Sequence, residues 1–158
     1  MRKGYEYIPK DGLRPLNRLK AYKLPAKYVC NNMGDVYIHD KSIPVKKINN
    51  IEHIVAKKMK PFTTKLGYVE FVLTNIHGRK KHIQGQRIVA LSFLKNPKNL
   101  PHVNHLDGVR DNNDVENLEW SSVSENNKHA YRVLGRQPHN KGKRKEANGK
   151  YVKREKVA

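Results

Sequence analysis

Residues 101–130, with the sequence PHVNHLDGVRDNNDVENLEWSSVSENNKHA, decide the fold of this chain more than any other stretch. Residues 103–105 form a short extended run, and residues 118–120 form a second one that ends in Trp120, an anchor for a core. The polar loop between the two runs opens with Asp107–Gly108, a pair typical of turns. The pattern predicts two short strands joined by a polar loop.

A helix is expected to follow the second strand. Ser121, Ser122 or Ser124 can cap it, because a serine side chain accepts a hydrogen bond from a free backbone N–H of the first turn. We predict that the helix runs from about Ser124 to Leu134. A strand–loop–strand–helix unit of this kind can bring a residue of the first strand beside the first turn of the helix.

Polar side chains that suit phosphodiester hydrolysis occupy these positions. His105 lies on the first strand, Asn117 just before the second, and Asn126 in the helix. A histidine can act as a base near neutral pH, and an asparagine offers a carbonyl oxygen to a hard cation such as Mg²⁺. With basic residues to hold the backbone phosphates, these groups would supply what the reaction needs.

Each of these polar residues also has an ordinary structural explanation. Asparagine is frequent in loops because its side chain bonds the backbone locally. For His102 a plain surface role is favoured, whereas for His129, one helical step from Asn126, both explanations stay open. The joint spacing with His105 favours a functional role for Asn117 and Asn126.

The charge of the chain is strongly unbalanced. Lysine and arginine number 33 against 14 aspartate and glutamate, a formal net charge of +19. Such a charge repels itself in a compact chain, and binding a polyanion relieves the repulsion while counterions are released. Nucleic acid is therefore the favoured partner. A membrane is not expected, because no apolar run approaches the roughly 20 residues that span a bilayer and the N-terminus lacks a secretory signal.

The remainder of the chain divides by composition. Hydrophobic residues make up 37%, which is material for a modest core. We expect residues 1–24 to be a basic N-terminal arm, either extended or with a short helix around Leu13–Tyr22, and residues 25–84 to be a β-rich module. A module that carries the candidate site follows at residues 85–134, and a basic flexible tail at residues 135–158.

Hairpins are predicted within the β-rich module. Residues 27–39 alternate around turn residues and form the first hairpin. Residues 66–76 and 79–83 form the second, while residues 40–62 are expected to be a loop with one weak strand. The apolar period then becomes helical in residues 86–94, and an Asn-Pro pair ends that helix.

Cys30 is the only cysteine, which excludes an internal disulfide and a cysteine-based zinc cluster. A buried small hydrophobe in a strand is favoured over a reactive thiol. A reducing, cytosolic setting fits this cysteine usage.

Residues 103–130 resemble the HNH module of phage homing endonucleases, whose pattern is V-N/D-H-x-D-G-x-x-x-N-N-x-x-x-N-L-x-W followed by E-N on a helix. The stretch RIVALSFLKNP at residues 87–97 is similar to the helix before that module, and KYVCNNMGDVYI at residues 27–38 resembles a hairpin of an associated N-terminal module. The resemblance covers residues 22–134. It implies an α+β fold in which a small N-terminal β-rich module precedes a ββα-metal nuclease motif and a basic, extended C-terminal tail.

The resemblance also implies roles for single residues. His105 would be the general base that activates the attacking water, and Asn117 the middle asparagine that orients this histidine and tightens the loop. Asn104 and Asn126 would hold one divalent metal ion, Mg²⁺ or Mn²⁺. Asp107 is expected to hold the turn rather than the metal. Two neutral oxygens attract a cation less than carboxylates do, so we expect weak metal binding without DNA.

One position departs from the family pattern. Gln86 stands where many relatives have a histidine, and His82, four residues earlier, is not expected to substitute for it. We expect the change to alter affinity rather than chemistry, because the positions of the base and of both metal ligands are intact.

The implied partner is double-stranded DNA, held mainly through its phosphates, with no small-molecule substrate. One active site predicts nicking by a monomer, while a dimer or a phage protein partner stays open. The resemblance implies a phage-encoded protein that works in the cytoplasm of a bacterial host. Candidate phosphate contacts are Arg87, Arg110, Lys128, Arg132, Arg136, Lys141, Lys143, Arg144 and Lys145.

Two other functions compete with a metal-dependent endonuclease. A DNA-binding protein that does not cleave, such as a repressor or packaging factor, would need a degenerate site, and Gln86 is its only support. A basic RNA-binding protein would need exposed aromatic residues on strands, for which Tyr37, Tyr68 and Phe71 are the candidates. The endonuclease is favoured over both.

Overall fold

A computed structural model describes residues 3–133, residue 135, and residues 143–145 and 151–153. Within these residues the fold is α+β, as the sequence predicted, with thirteen strands and two α-helices. The strands form three sheets in the body of the protein and a separate two-stranded pair near the C-terminus.

The first sheet is antiparallel, and its strands are β1 (Glu6–Pro9), β2 (Arg14–Pro15), β3 (Tyr28–Cys30), β4 (Val36–His39), β5 (Lys46–Ile48) and β6 (Ile51–Lys58). Their order is β1-β6-β4-β3-β2, with β5 paired to β6. A tight loop joins β3 to β4: the Asn31 Oδ1 atom accepts hydrogen bonds from the backbone N–H groups of Met33 and Asp35. Gly34 in this loop has a φ of +90°, which favours glycine. The hairpin predicted at residues 27–39 is therefore confirmed.

Residues 3–24 differ from the expected arm or short helix. They contribute β1 and β2 to the first sheet, and Leu16, Leu19 and Leu24 are buried in the core. Two 3-10 helices, Leu16–Arg18 and Lys20–Tyr22, lie where the short helix was expected, and the first contains the buried Leu16. Strands of four and two residues leave no lasting period in the sequence, so the pattern did not predict β1 and β2.

Residues 40–62 are also more ordered than expected. The strand β6 is eight residues long, and β5 pairs with it through a two-residue turn. Asn49 and Asn50 supply the positive φ values of 50° and 63° that this turn requires.

A second, three-stranded sheet follows, made of β7 (Phe62–Thr63), β8 (Val69–Thr74) and β9 (Lys80–Gln84). The pairing of β8 with β9 confirms the second predicted hairpin. Helix α1 (Gly85–Phe93) begins directly after β9, where the apolar period of the sequence becomes helical.

One hydrophobic core joins these elements. Leu16, Val36, Phe71 and Ile88 belong to the same buried cluster, although they come from the N-terminal segment, both sheets and α1. Cys30 lies in this cluster as a buried free thiol, as predicted. Burial raises the pKa of that thiol to about 11, which keeps it protonated and unreactive.

The predicted strand–loop–strand–helix unit is present. Strands β10 (His102–His105) and β11 (Leu118–Ser121) pair antiparallel, and helix α2 (Val123–Arg132) follows. Of the three serines that could cap α2, Ser122 does so. Its side chain accepts from the Glu125 N–H and the Glu125 carboxylate accepts from the Ser122 N–H, which is a capping box.

The tail predicted at residues 135–158 lies mostly outside the described residues. Within it, β12 (Lys143–Lys145) and β13 (Tyr151–Lys153) pair antiparallel. In the described part of the chain, no helix is long and apolar enough to cross a membrane.

Candidate active site

A small polar pocket lies where β10, the loop after it and α2 meet. His105 and Asn104 of β10 line it, and both are buried. Asn126 lines the same pocket from the second turn of α2. The structure thus brings together His105 and both predicted metal ligands, as the ββα unit was expected to do. The remaining lining residues are Tyr68, Val103, Gly108, Arg110 and Ala130.

Asn104 is held by its neighbour on the adjacent strand. It stands opposite Glu119 in the β10–β11 pairing, and its Nδ2 atom donates to the Glu119 Oε1 atom over 2.8 Å. Since the Asn104 NH₂ group makes that bond, its carbonyl oxygen remains available to a cation.

Asn126 is half-buried, and its side chain forms no hydrogen bond with any described residue. The capping box fixes where α2 starts and so sets which helical residue faces the pocket. Ala130, one turn further, lines the pocket, whereas His129 does not. Of the two explanations left open for His129, the structure therefore does not support a place in this pocket.

The donor set fits a hard divalent cation. Asn104 and Asn126 present amide oxygens, which suit Mg²⁺ and Mn²⁺ rather than softer metals. Among the residues that the structure describes, no group of three or more histidine, cysteine, aspartate or glutamate side chains could hold a metal. A site built on two amides therefore depends on water and phosphate oxygens for its other ligands.

The ring of His105 is fixed by one hydrogen bond. Its Nε2 atom lies 3.2 Å from the Oδ1 atom of Asn113, which is itself buried. Because a carbonyl oxygen only accepts, Nε2 carries the proton and Nδ1 of the neutral ring holds the free electron pair. Burial lowers the pKa of His105, and the positive charge of Arg110 acts in the same direction, while Asn113 and Asp107 oppose the shift. The ring is therefore neutral at physiological pH and able to accept a proton.

Asn117 tightens the loop, as predicted, but it does not contact His105. Its Oδ1 atom accepts from the Asp107 N–H over 3.1 Å, and its Nδ2 atom donates to the Asp107 carboxylate and to the Asn112 carbonyl, each over 2.9 Å. Asn117 is the last residue of the 3-10 turn Val115–Asn117, and its three side-chain hydrogen bonds all go to the loop after β10. The orienting contact expected of Asn117 is made by Asn113 instead.

Asp107 holds the turn, in line with the favoured expectation. Its carboxylate accepts from the side chains of Asn112 and Asn117 and from the Val109 N–H. These hydrogen bonds, that from Asn112 first, lower the pKa of Asp107 below its ordinary value.

Sequence reasoning missed two residues of the site. Asn113 resembles any other loop asparagine in the sequence, and only its burial distinguishes it from Asn112. Tyr68, from the loop before β8, is far away along the chain, yet its ring contacts the pocket. The guanidinium of Arg110 lies 4.9 Å from the Tyr68 ring centroid and donates to the Leu66 carbonyl. This places one predicted DNA-binding residue at the pocket itself.

The other residues predicted to contact DNA differ in their surroundings. Arg87 donates to the Pro101 carbonyl over 2.7 Å and lies over the Trp120 ring, so it makes internal contacts. Lys128 and Arg132 are exposed on α2. The backbone of Lys143, Arg144 and Lys145 forms β12, while Arg136 and Lys141 lie outside the described residues.

Gln86 is buried at the start of α1. Its Nε2 atom donates to the Gln84 side chain over 3.2 Å, and its Oε1 atom has no hydrogen-bond partner in the described structure. Gln86 lines a neighbouring pocket and not the one that contains His105. Its departure from the family pattern thus leaves the contacts of His105 intact.

Known proteins resemble this chain in the same region. A family model described as HNH endonuclease matches residues 95–128. Two curated relatives from Acanthamoeba polyphaga mimivirus, the uncharacterized HNH endonucleases L245 and L247, are 37% identical over 70 residues and 38% identical over 90 residues. These matches cover 44% and 54% of this chain, but only 21% and 22% of the relatives, so the chain spans about a fifth of their length.

A solved structure extends the likeness to most of the chain. The structure, which concerns DNA binding and cleavage by the HNH homing endonuclease I-HmuI, matches with a TM-score of 0.58 and 28% identity. The match covers 82% of this chain and 62% of that protein. The family match, the viral relatives and the shared fold agree with the geometry of the pocket: residues 95–128 are similar to HNH endonucleases, and most of the chain shares the fold of a homing endonuclease of that type.

Proposed function

We propose that this protein is a metal-dependent DNA endonuclease of the homing type that hydrolyses phosphodiester bonds. The observation that carries the proposal is the meeting of His105, Asn104 and Asn126 in one small polar pocket. I-HmuI, with which the chain shares its fold at 28% identity, is an HNH homing endonuclease that binds and cleaves DNA. The formal net charge of +19 suits a DNA partner.

His105 accepts the proton of the attacking water. Its Nε2–H group is committed to Asn113, so the basic atom is Nδ1. The lowered pKa keeps the ring in its basic form at neutral pH. Asn117 and Asp107 act indirectly, because their hydrogen bonds hold the loop that follows the base.

Asn104 and Asn126 would hold one Mg²⁺ or Mn²⁺ ion through their amide oxygens. When bound, the ion would supply positive charge that stabilises the charge developing on the scissile phosphate. Two neutral ligands would give a weak site, so we expect metal affinity to rise when DNA is bound.

Arg110, which lines the same pocket, holds the scissile phosphate. Its guanidinium is kept in place by the Tyr68 ring and the Leu66 carbonyl. Exposed basic residues such as Lys128 and Arg132 contact the flanking backbone, which makes affinity depend on salt. One pocket cuts one strand, so a monomer nicks duplex DNA.

The RNA-binding alternative finds little support in the positions of its aromatic residues. Phe71 is buried in the core, Tyr68 is covered by Arg110, and the Tyr37 hydroxyl donates to Asp35. They do not form the exposed stacking surface that RNA recognition on a sheet uses.

Supercoiled plasmid carrying cloned phage DNA tests the proposal. Purified protein is incubated with Mg²⁺, with Mn²⁺ and with EDTA, beside an Asn104→Ala/Asn126→Ala double variant that reveals any contaminating nuclease. We expect relaxed circles with either metal, none with EDTA and none with the double variant. Binding without cleavage on every substrate would instead support the DNA-binding protein that does not cleave. Linear product at first turnover would contradict nicking by a monomer.

A further inference from the structure

Asn113 occupies a close-fitting space beside the candidate base. It is 4% exposed, and its Oδ1 atom accepts the hydrogen bond of the His105 ring. We infer that Asn113 is a positioning residue for His105, and that Gly34 and Gly85 hold it there by leaving space for its side chain. The inference rests on the proposed function in one respect, the role of His105 as base.

The two glycines face Asn113 from different parts of the fold. A Cβ atom on Gly34 would lie 2.8 Å from the Asn113 Cβ atom, and one on Gly85 would lie 2.7 Å from its Nδ2 atom. Both separations are shorter than carbon and nitrogen atoms tolerate. Any larger residue at either position would therefore displace the Asn113 side chain.

The two glycines belong to regions that the sequence assigned to separate modules. Gly34 belongs to the β3–β4 loop of the N-terminal sheet, and Gly85 is the first residue of α1. The Val115 N–H also donates to the Asn32 carbonyl of the same β3–β4 loop over 2.8 Å. The N-terminal module thus supports the loop that carries Asn113, besides any contact that it makes with DNA.

The chemical consequence is the choice of tautomer. A neutral imidazole carries its proton on either nitrogen, and only the nitrogen without the proton can act as base. The Asn113 carbonyl selects the form with the proton on Nε2 and leaves Nδ1 free. Without this contact, both forms and more than one ring orientation become accessible.

Long-range ¹H–¹⁵N spectra of the His105 ring test the inference without DNA or metal. In the unaltered protein we expect the Nε2–H form alone. Asn113→Leu keeps a similar volume but removes the acceptor, so a mixture of tautomers is expected. Asn113→Asp keeps an acceptor oxygen and should retain the Nε2–H form. A single Nε2–H form in Asn113→Leu would overturn the inference.

Cleavage kinetics give a second readout. Misplacing a base by a small distance costs on the order of 100-fold in rate, so kcat should fall by that order in Asn113→Leu while KM for DNA changes little. Asn113→Asp should recover part of the loss. An equal fall in both variants, caused by raised KM, would indicate a merely structural role and contradict the inference.

The glycines offer a test that leaves Asn113 itself unchanged. Gly85→Ala places a methyl group where the Asn113 amide lies and should reduce kcat and mix the tautomers. Gly78→Ala is a control for general destabilisation: a Cβ there meets nothing within 4 Å but its φ of +75° makes the substitution strained, so stability should fall while kcat and the tautomer stay unchanged. Normal kcat and a single tautomer in Gly85→Ala would overturn the role of the glycines in positioning Asn113. If Gly85→Ala fails to fold, the Asn113→Leu spectra decide.

Failure of the inference can be told apart from failure of the proposed function. If the protein cleaves DNA and Asn113→Leu matches it in rate and tautomer, the inference falls and the function stands. If the protein never cleaves DNA, the function falls, while the spectra still test whether Asn113 fixes the ring.

Discussion

The ring centroids of Tyr68 and His105 lie 6.2 Å apart, although the two residues come from distant parts of the chain. Tyr68 lies in the loop between β7 and β8, and His105 lies on β10. The guanidinium of Arg110 lies over the Tyr68 ring, 4.9 Å from its centroid. The loop before β8 therefore completes the pocket of the ββα unit and holds the guanidinium of Arg110 beside the candidate base.

We predict that Arg110→Ala lowers the single-turnover cleavage rate by on the order of 100-fold, as expected for a group that stabilises transition-state charge. DNA affinity should fall much less, because Arg110 is one of 33 lysine and arginine residues in the chain. Tyr68→Phe keeps the ring under the guanidinium and should cleave almost normally, whereas Tyr68→Ala should resemble Arg110→Ala. Equal rates for Tyr68→Phe and Tyr68→Ala would contradict the proposed stacking.

The metal requirement should respond to the charge of the Asn104 position. Asn104→Asp replaces an amide oxygen by a carboxylate, which attracts a divalent cation more strongly. It also places two carboxylates side by side, since Asn104 bonds to Glu119. We therefore expect Asn104→Asp combined with Glu119→Gln to reach half-maximal cleavage at a lower Mg²⁺ concentration than the unaltered protein.

The matched control for that titration is Glu119→Gln alone. This variant keeps the amide at position 104 and should not lower the Mg²⁺ requirement. A requirement that is the same in all three proteins would remove Asn104 from the metal site.

The turn held by Asp107 should make stability depend on pH. Its pKa is lowered in the folded protein, so its contribution is present above the ordinary value of 3.8 and is lost as pH falls through the lower folded value. We expect the Tm difference between the unaltered protein and Asp107→Asn to be larger at pH 6 than at pH 3. A difference that does not vary with pH would show that the carboxylate charge is not stabilising.

The start of α2 should depend on Ser122. Ser122→Ala removes the capping side chain and should lower the free energy of unfolding by about 1 kcal/mol in urea titrations. Because the cap sets the position of Asn126, the Mg²⁺ requirement for cleavage should rise as well. Ser124→Ala is the control, since Ser124 is exposed and is not the N-cap residue. The same loss in both variants would speak against the cap.

The sequence alone predicts the HNH module well and the N-terminal segment poorly. The β10–β11 pair, α2 and the meeting of His105 with Asn126 follow from one continuous segment with fixed spacings. By contrast, β2 has only two residues, and a 3-10 turn buries Leu16 without any repeating pattern. Such short elements are determined by packing against a core that the local sequence does not display.

The sequence likewise predicts the candidate base itself but not the residue that orients it. The sequence identified His105, but it attributed its orientation to Asn117 rather than Asn113. Neighbouring loop asparagines have the same chemistry, and only the space left by Gly34 and Gly85 decides which one is buried. That space depends on two segments distant along the chain, so local spacing could not reveal it.

The central claim is that His105 activates the water that cleaves DNA in this pocket. The most direct test compares the unaltered protein with His105→Ala in single-turnover cleavage and in binding of the same DNA with Mg²⁺. We predict unchanged binding and a cleavage rate lower by on the order of 10²- to 10⁴-fold, the contribution of a general base. Cleavage by His105→Ala at the rate of the unaltered protein would contradict the claim and place the chemistry elsewhere.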